Sequence, residues 1–104
     1  RIIDEKESQW LNNHYRHKNY PTNILSFPYE KDETNLLGDL AICAPIIEKE
    51  SIEYNIDLKE HWAHIIIHGC LHLIGYTHDD DKNAKKMESL EFELLKKVGF
   101  KPLC

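Results

Sequence analysis

The sequence predicts an α/β (α+β) fold, a small mixed sheet packed against helices, in a single domain spanning residues 1–104. Three observations carry this. Two short apolar runs, ILSF at residues 24–27 and LLGDLAIC at residues 36–43, are bounded by Pro, Asn and Gly and read as strands. Longer stretches with helical spacing and capping residues flank and succeed them. The 104 residues, 41% apolar and 30% charged, suit one core of ordinary globular composition.

Residues 1–4 look like the end of a strand. Asp4 then fits a helix N-cap, with Glu7 three residues later as its capping-box partner. The helix is predicted to run to Arg16, with Trp10, Leu11, His14 and Tyr15 near one face. HKNYPTN, residues 17–23, reads as a loop, and YEKDETN, residues 29–35, as a charged one. Pro45 fits the first turn of a helix ending near Asn55. Asp57 can cap the next helix, predicted over residues 58–74, which Gly75 terminates. After a loop through the acids at 79–81, residues 82–97 form an amphipathic helix with Met87, Leu90, Leu94 and Val98 as its stripe. The opening RIIDEKES is charged from its first residue, unlike a secretory signal, and reads as a chain entered in mid-fold. A further N-terminal piece is expected ahead of it.

No run approaches the roughly 20 apolar residues of a membrane span. The three cysteines, Cys43, Cys70 and Cys104, are odd in number and show no CxxC spacing, which fits a reducing cytoplasm better than a disulfide framework. Cys70, inside an apolar helical run, reads as a buried small hydrophobe. The formal net charge of −5 does not advertise a nucleic-acid binder. The charge is uneven, however. Between Glu7 and Glu30 there is no carboxylate, while Arg16, Lys18, His14, His17 and several aromatics fall in that window. Such a segment either supplies core aromatics and a solvated helix end or forms a surface for phosphates and bases.

The chemistry concentrates in HGCLHLIGYTH, residues 68–78. Residues four apart stack on one face of a helix, so His68 and His72 project side by side. The same holds for His64 and His68, and either pair could begin a metal site. The residues after His72 decide between them. Gly75 tolerates the left-handed backbone that turns a chain sharply, which lets His78 swing back toward His68 and His72. Three imidazoles suit Zn²⁺ with one coordination position left open, and would also accept Ni²⁺, Co²⁺ or Cu²⁺. His61 and His64 are left as structural residues or as supports for a ligand, and His14 and His17 as surface residues without a metal role.

The spacing HxxxHxxGxxH is that of the metzincin proteases, whose general-base Glu comes directly after the first His. Here that position is Gly69, which cannot accept a proton. A phosphodiester needs such a base less than a peptide does, because a cation can stabilise its non-bridging oxygens. The pattern therefore favours phosphate-ester chemistry.

HGCLHLIGYTH resembles the HGxLHLxGYDH signature of the YbeY family of bacterial metal-dependent endoribonucleases. NNHYRHKNYPTNILSFPYE (residues 12–30), LLGDLAIC (36–43), MESLE (87–91) and VGF (98–100) are also similar to family blocks, so the likeness covers nearly the whole chain. The resemblance implies one Zn²⁺ per chain on His68, His72 and His78, a catalytic role for Arg16 that binds or stabilises the scissile phosphate, and a small domain with the metal helix at its centre, preceded by a further N-terminal strand and helix. It implies cleavage of single-stranded RNA in rRNA maturation (16S rRNA 3′-end processing) and ribosome quality control, with rRNA and the ribosome or its proteins as partners in the cytoplasm. Lys18 and the nearby aromatics would guide the strand, and Ser26 would line the cleft or pack at a strand end. Two departures stand out: Thr77 replaces the family's usual Asp before the third His, so that either metal affinity is lower or Asp79 takes over the role, and His17 replaces the Gly after the YR pair. Two alternatives compete: a peptidase-like hydrolase using another base such as Glu60, and a ribosome-associated binding module with structural zinc.

Overall fold

The computed structural model describes residues 1–29, 38–77 and 79–99. Its elements are β1 (Ile2–Ile3), α1 (Glu5–Arg16), β2 (Ile24–Pro28), β3 (Gly38–Cys43), α2 (Ala44–Glu53), α3 (Leu58–Ile74) and α4 (Asp81–Lys97). The strands form one mixed sheet in the order β1-β3-β2, with β1 parallel and β2 antiparallel to β3. This is the α+β arrangement the sequence predicts. The start of the second predicted strand, Leu36 and Leu37, and most of the charged loop before it lie outside the described residues.

Strand alternation sends neighbouring residues to opposite faces. Leu25 pairs with Ala41 and, with Ile3 and Cys43, forms one buried cluster against Leu11 of α1. Ile24 pairs with Ile42 and, with Ile47 and Ile65, forms the cluster on the other face, beneath α3. Helices thus cover both faces, and α4 packs against α3 from outside. The central position foreseen for α3 is observed.

Asp4 and Asp57 cap their helices as the sequence proposes, but the Glu7 carboxylate pairs with Arg1 rather than closing a capping box on Asp4. Asp4 accepts from the Glu7 backbone N–H and Asp57 from those of Lys59 and Glu60. Gly75 ends α3 at φ 116°, and its N–H reaches the carbonyls of His72 and Leu71. Asp80, expected in a loop, caps α4 through the Asn83 N–H, so that helix begins at Asp81.

The helix faces differ from the predicted stripes. On α1 the buried residues are Ser8 and Asn12, while Trp10 and Tyr15 are exposed. The next loop supplies hydrogen-bond partners for the Ser8 hydroxyl and the Asn12 amide nitrogen, while Asn12 Oδ1 is buried without one among the described residues. Ser8 Oγ donates to the Thr22 carbonyl and accepts from the Thr22 N–H, and Asn12 Nδ2 donates to the Tyr20 carbonyl. On α4 the buried line is Met87, Glu91 and Leu95, and Val98 is exposed. Cys70, expected in the core, is exposed, because α3 turns Gly69 rather than Cys70 toward the sheet.

Candidate functional site

A cleft of about 600 Å³ lies between the sheet and α3. β2 lines one wall, His64, Ile65, His68 and His72 of α3 the other, and Tyr15 and Arg16 stand where α1 ends. The fold thus brings Arg16, Ser26, His68 and His72 to one opening. Lys18 is exposed on the adjoining loop and is not among the residues lining the cleft. His78 lies outside the described residues.

Arg16 is positioned by the polar anchoring of its helix. The Ser8 and Asn12 bonds bind loop 17–23 along α1, and that loop leads directly into β2. The chain leaves α1 at His17, which adopts the left-handed conformation at φ 57°. This is the position at which the resembling family carries Gly, and the conformation explains that preference.

His68 and His72 meet as helical spacing requires, with their Nε2 atoms 3.1 Å apart. The other nitrogen of His68, Nδ1, is 2.5 Å from Glu91 Oε1. The second Glu91 oxygen lies 2.9 Å from His64 Nε2. A carboxylate accepts a proton donor, so Glu91 selects the His68 tautomer with hydrogen on Nδ1 and leaves Nε2 as a donor of electrons. Burial raises the Glu91 pKa, but hydrogen bonds from His64 and His68 outweigh it and hold the group at about 2. It is a carboxylate throughout the neutral range.

These residues fit a zinc-type cation. Two imidazole nitrogens about 2.0–2.1 Å from one tetrahedral Zn²⁺ lie roughly 3.3 Å apart, close to the observed His68–His72 spacing. A carboxylate behind a ligand imidazole is the usual support that orients the ring and raises its basicity. Among the described residues, no group of three His, Cys, Asp or Glu side chains could by itself hold a metal. The pair requires a further ligand from elsewhere.

The remaining sequence candidates have distinct surroundings. His61 is buried with Nε2 2.9 Å from Glu50, which also accepts from the Asn23 side chain. This joins α3 to α2 and to the loop before β2. Thr77 Oγ1 donates to Asp79 at 2.7 Å, which holds the Asp79 carboxyl below its ordinary range. Glu60 is not among the residues lining the cleft. It sits in the first turn of α3, about 12 Å along the axis from His68 at 1.5 Å per residue. Gly69 faces the sheet, where a Cβ would come within 2.6 Å of Ile24 Cδ1 and 3.0 Å of Leu40 Cδ2. A side chain there would enter the core rather than the cleft.

Glu91 is the functional candidate that sequence reasoning missed. Its signal was present: an acid in the middle of the Met87–Leu95 apolar line, spaced by four on each side. An unpaired acid is rarely buried, so that position implied a partner on another element.

Comparison with known proteins identifies the family. The family model described as Endoribonuclease YbeY matches residues 1–99. The solution structure of TM1509 from Thermotoga maritima is similar, with a TM-score of 0.57 and 28% identity, over 93% of this chain and 67% of that one. The family match spans the sheet, the cleft and the helices α1 to α4, and this chain belongs to the YbeY family of endoribonucleases, whose work is RNA cleavage in rRNA processing.

Proposed function

We propose that this protein is a zinc-dependent endoribonuclease of the cytoplasm that cuts single-stranded RNA during 16S rRNA 3′-end maturation and ribosome quality control. The observation that supports it best is the His68–His72 nitrogen pair, backed by Glu91 and opening into the cleft that Arg16 borders. His68, His72 and His78 are the proposed ligands. A bound zinc ion supplies Lewis acidity toward a phosphoryl oxygen and acidifies water. Glu91 keeps the His68 ring in its ligating tautomer and fixes its direction. Arg16 binds the scissile phosphate, because a guanidinium grips two oxygens at once and stays charged at every working pH. Lys18 attracts the flanking backbone, and the Ser26 hydroxyl offers a hydrogen bond at the cleft wall. The ribosome and its proteins are the proposed partners.

The peptidase alternative is disfavoured by Gly69, which offers no base beside the first His and faces the sheet, and by Glu60, which is not among the residues lining the cleft. Metal content and cleavage of a precursor rRNA, measured on the wild type and His72→Ala, test the proposal. Loss of both in the variant supports it. Full RNA cleavage without metal refutes the zinc requirement, and casein cleavage that depends on His72 refutes the substrate class. A structural-zinc binding module would instead unfold on metal removal while cleaving no RNA.

A further inference from the structure

We infer that Trp10 and His14 form a nucleobase platform outside the cleft, on which a single-stranded RNA continues to stack after it leaves the proposed cleavage site. The inference rests on the endoribonuclease reading. The rings of Trp10 and His14 are parallel, 4.9 Å apart at an interplanar angle of 6°. They do not stand alone. His14 meets Tyr15 edge-on at 4.7 Å, and Tyr15 meets Phe27 edge-on at 5.1 Å. Tyr15 and Phe27 line the cleft beside Arg16. A row of aromatic rings therefore runs from the cleft outward along α1, each ring in contact with the next.

The outer end of the row is open. Trp10 is 61% exposed and Tyr15 57% exposed. Burial in this chain's own core does not account for them, since α1 turns Ser8, Leu11 and Asn12 inward instead. The occupant is set by charge and by continuity. From Ser8 to Tyr29 there is no carboxylate, and Glu7, one turn before Trp10, is paired with Arg1, while Arg16 and Lys18 stand at the inner end of the row. An anionic backbone is attracted to such a surface, and bases offer flat faces to an indole and an imidazole. Arg16 and Tyr15 both line the cleft, so a strand gripped at Arg16 meets the first ring of the row there.

The test compares affinities of a labelled single-stranded RNA of about three nucleotides and one of about twelve, by fluorescence anisotropy. Wild type, Trp10→Ala and Trp10→Phe are measured across a salt series. The ratio of long-strand to short-strand affinity is expected to fall about five- to tenfold in Trp10→Ala and to recover largely in Trp10→Phe, as stacking requires. The slope of log affinity against log salt stays that of wild type, since no phosphate contact is removed. In wild type, an abasic site walked along the longer strand costs affinity at a position beyond the cleft, and Trp10→Ala is insensitive to it. An unchanged affinity ratio overturns the platform, as does an equal loss at both lengths or an abasic walk that finds no sensitive position. Trp10→Ala that instead weakens binding to a ribosomal protein, with the RNA ratio intact, also overturns it. Failure of wild type to bind either strand refutes the endoribonuclease reading itself, whereas binding with no Trp10 dependence refutes the platform alone.

Discussion

Glu91 Oε1 lies 2.5 Å from His68 Nδ1, joining α4 to α3 behind the candidate metal pair. The same carboxylate reaches His64, so one side chain orients one imidazole toward the cleft while a second holds the carboxylate. Replacing Glu91 with Gln removes the charge but keeps the shape. Zinc affinity is expected to fall about 10- to 100-fold, the usual cost of losing such a support. Competition against a chromophoric chelator measures it.

The same contact gives a pH dependence to the metal-free protein. Glu91 titrates at about 2 in the fold, against 4.5 for an ordinary glutamate. A depressed folded pKa means stability that is fully present above the unfolded value and lost as pH falls toward the folded one. The stability difference between wild type and Glu91→Gln should therefore shrink as pH falls between about pH 4.5 and 2. Urea unfolding of the metal-free proteins along that series checks the sign.

His17→Gly should stabilise the protein by about 0.5–1 kcal/mol. A side chain at φ 57° carries a steric penalty that glycine avoids, partly offset by the greater freedom of the unfolded glycine chain. A rise of a few degrees in melting temperature is the expected readout.

Gly69→Glu, which would recreate the metzincin sequence pattern, should destabilise the fold rather than install a peptidase. The new side chain meets Ile24 and Leu40 and carries a carboxylate into the face of α3 that packs on the sheet. Overpacking alone costs about 1–3 kcal/mol, and a buried charge adds to it. Denaturant midpoints and a casein assay together test this: a stable variant that cleaves casein would contradict the packing argument.

Asn12→Ala removes the bond that ties the Tyr20 carbonyl to α1. Losing a buried donor should cost about 1–3 kcal/mol. Because the freed loop joins Arg16 to β2, amide hydrogen exchange should accelerate across residues 17–23 more than in α3.

Much of this architecture is legible in the sequence because helix ends are local events. Asp4, Asp57 and Gly75 act within a turn of their own positions: Asp4 starts α1 at Glu5, and Asp57 and Gly75 bound α3 at Leu58 and Ile74. The pairing of His68 with His72 is equally local, a matter of helical pitch. The parts that escape depend on partners distant in sequence. Ser8 and Asn12 are buried because Thr22 and Tyr20 present carbonyls to them, which no periodicity records. Glu91 is buried because two histidines on another helix await it. Cys70 and Val98 belong to apolar runs in sequence but fall just off the faces that pack. The third proposed ligand, His78, lies outside the described residues, and the fold displays only the turn at Gly75 that would return the chain toward the pair.

The separation of 23 residues between His68 and Glu91 sets an order of events during synthesis. His68 leaves the ribosome well before the carboxylate that selects its tautomer. Until α4 has been made and docked, the Glu91 carboxylate does not select which nitrogen of the imidazole carries the proton. A nascent chain halted after α3 would therefore carry the histidines without a trained ligand pair, and competence for RNA cleavage would arrive only with the folding of α4.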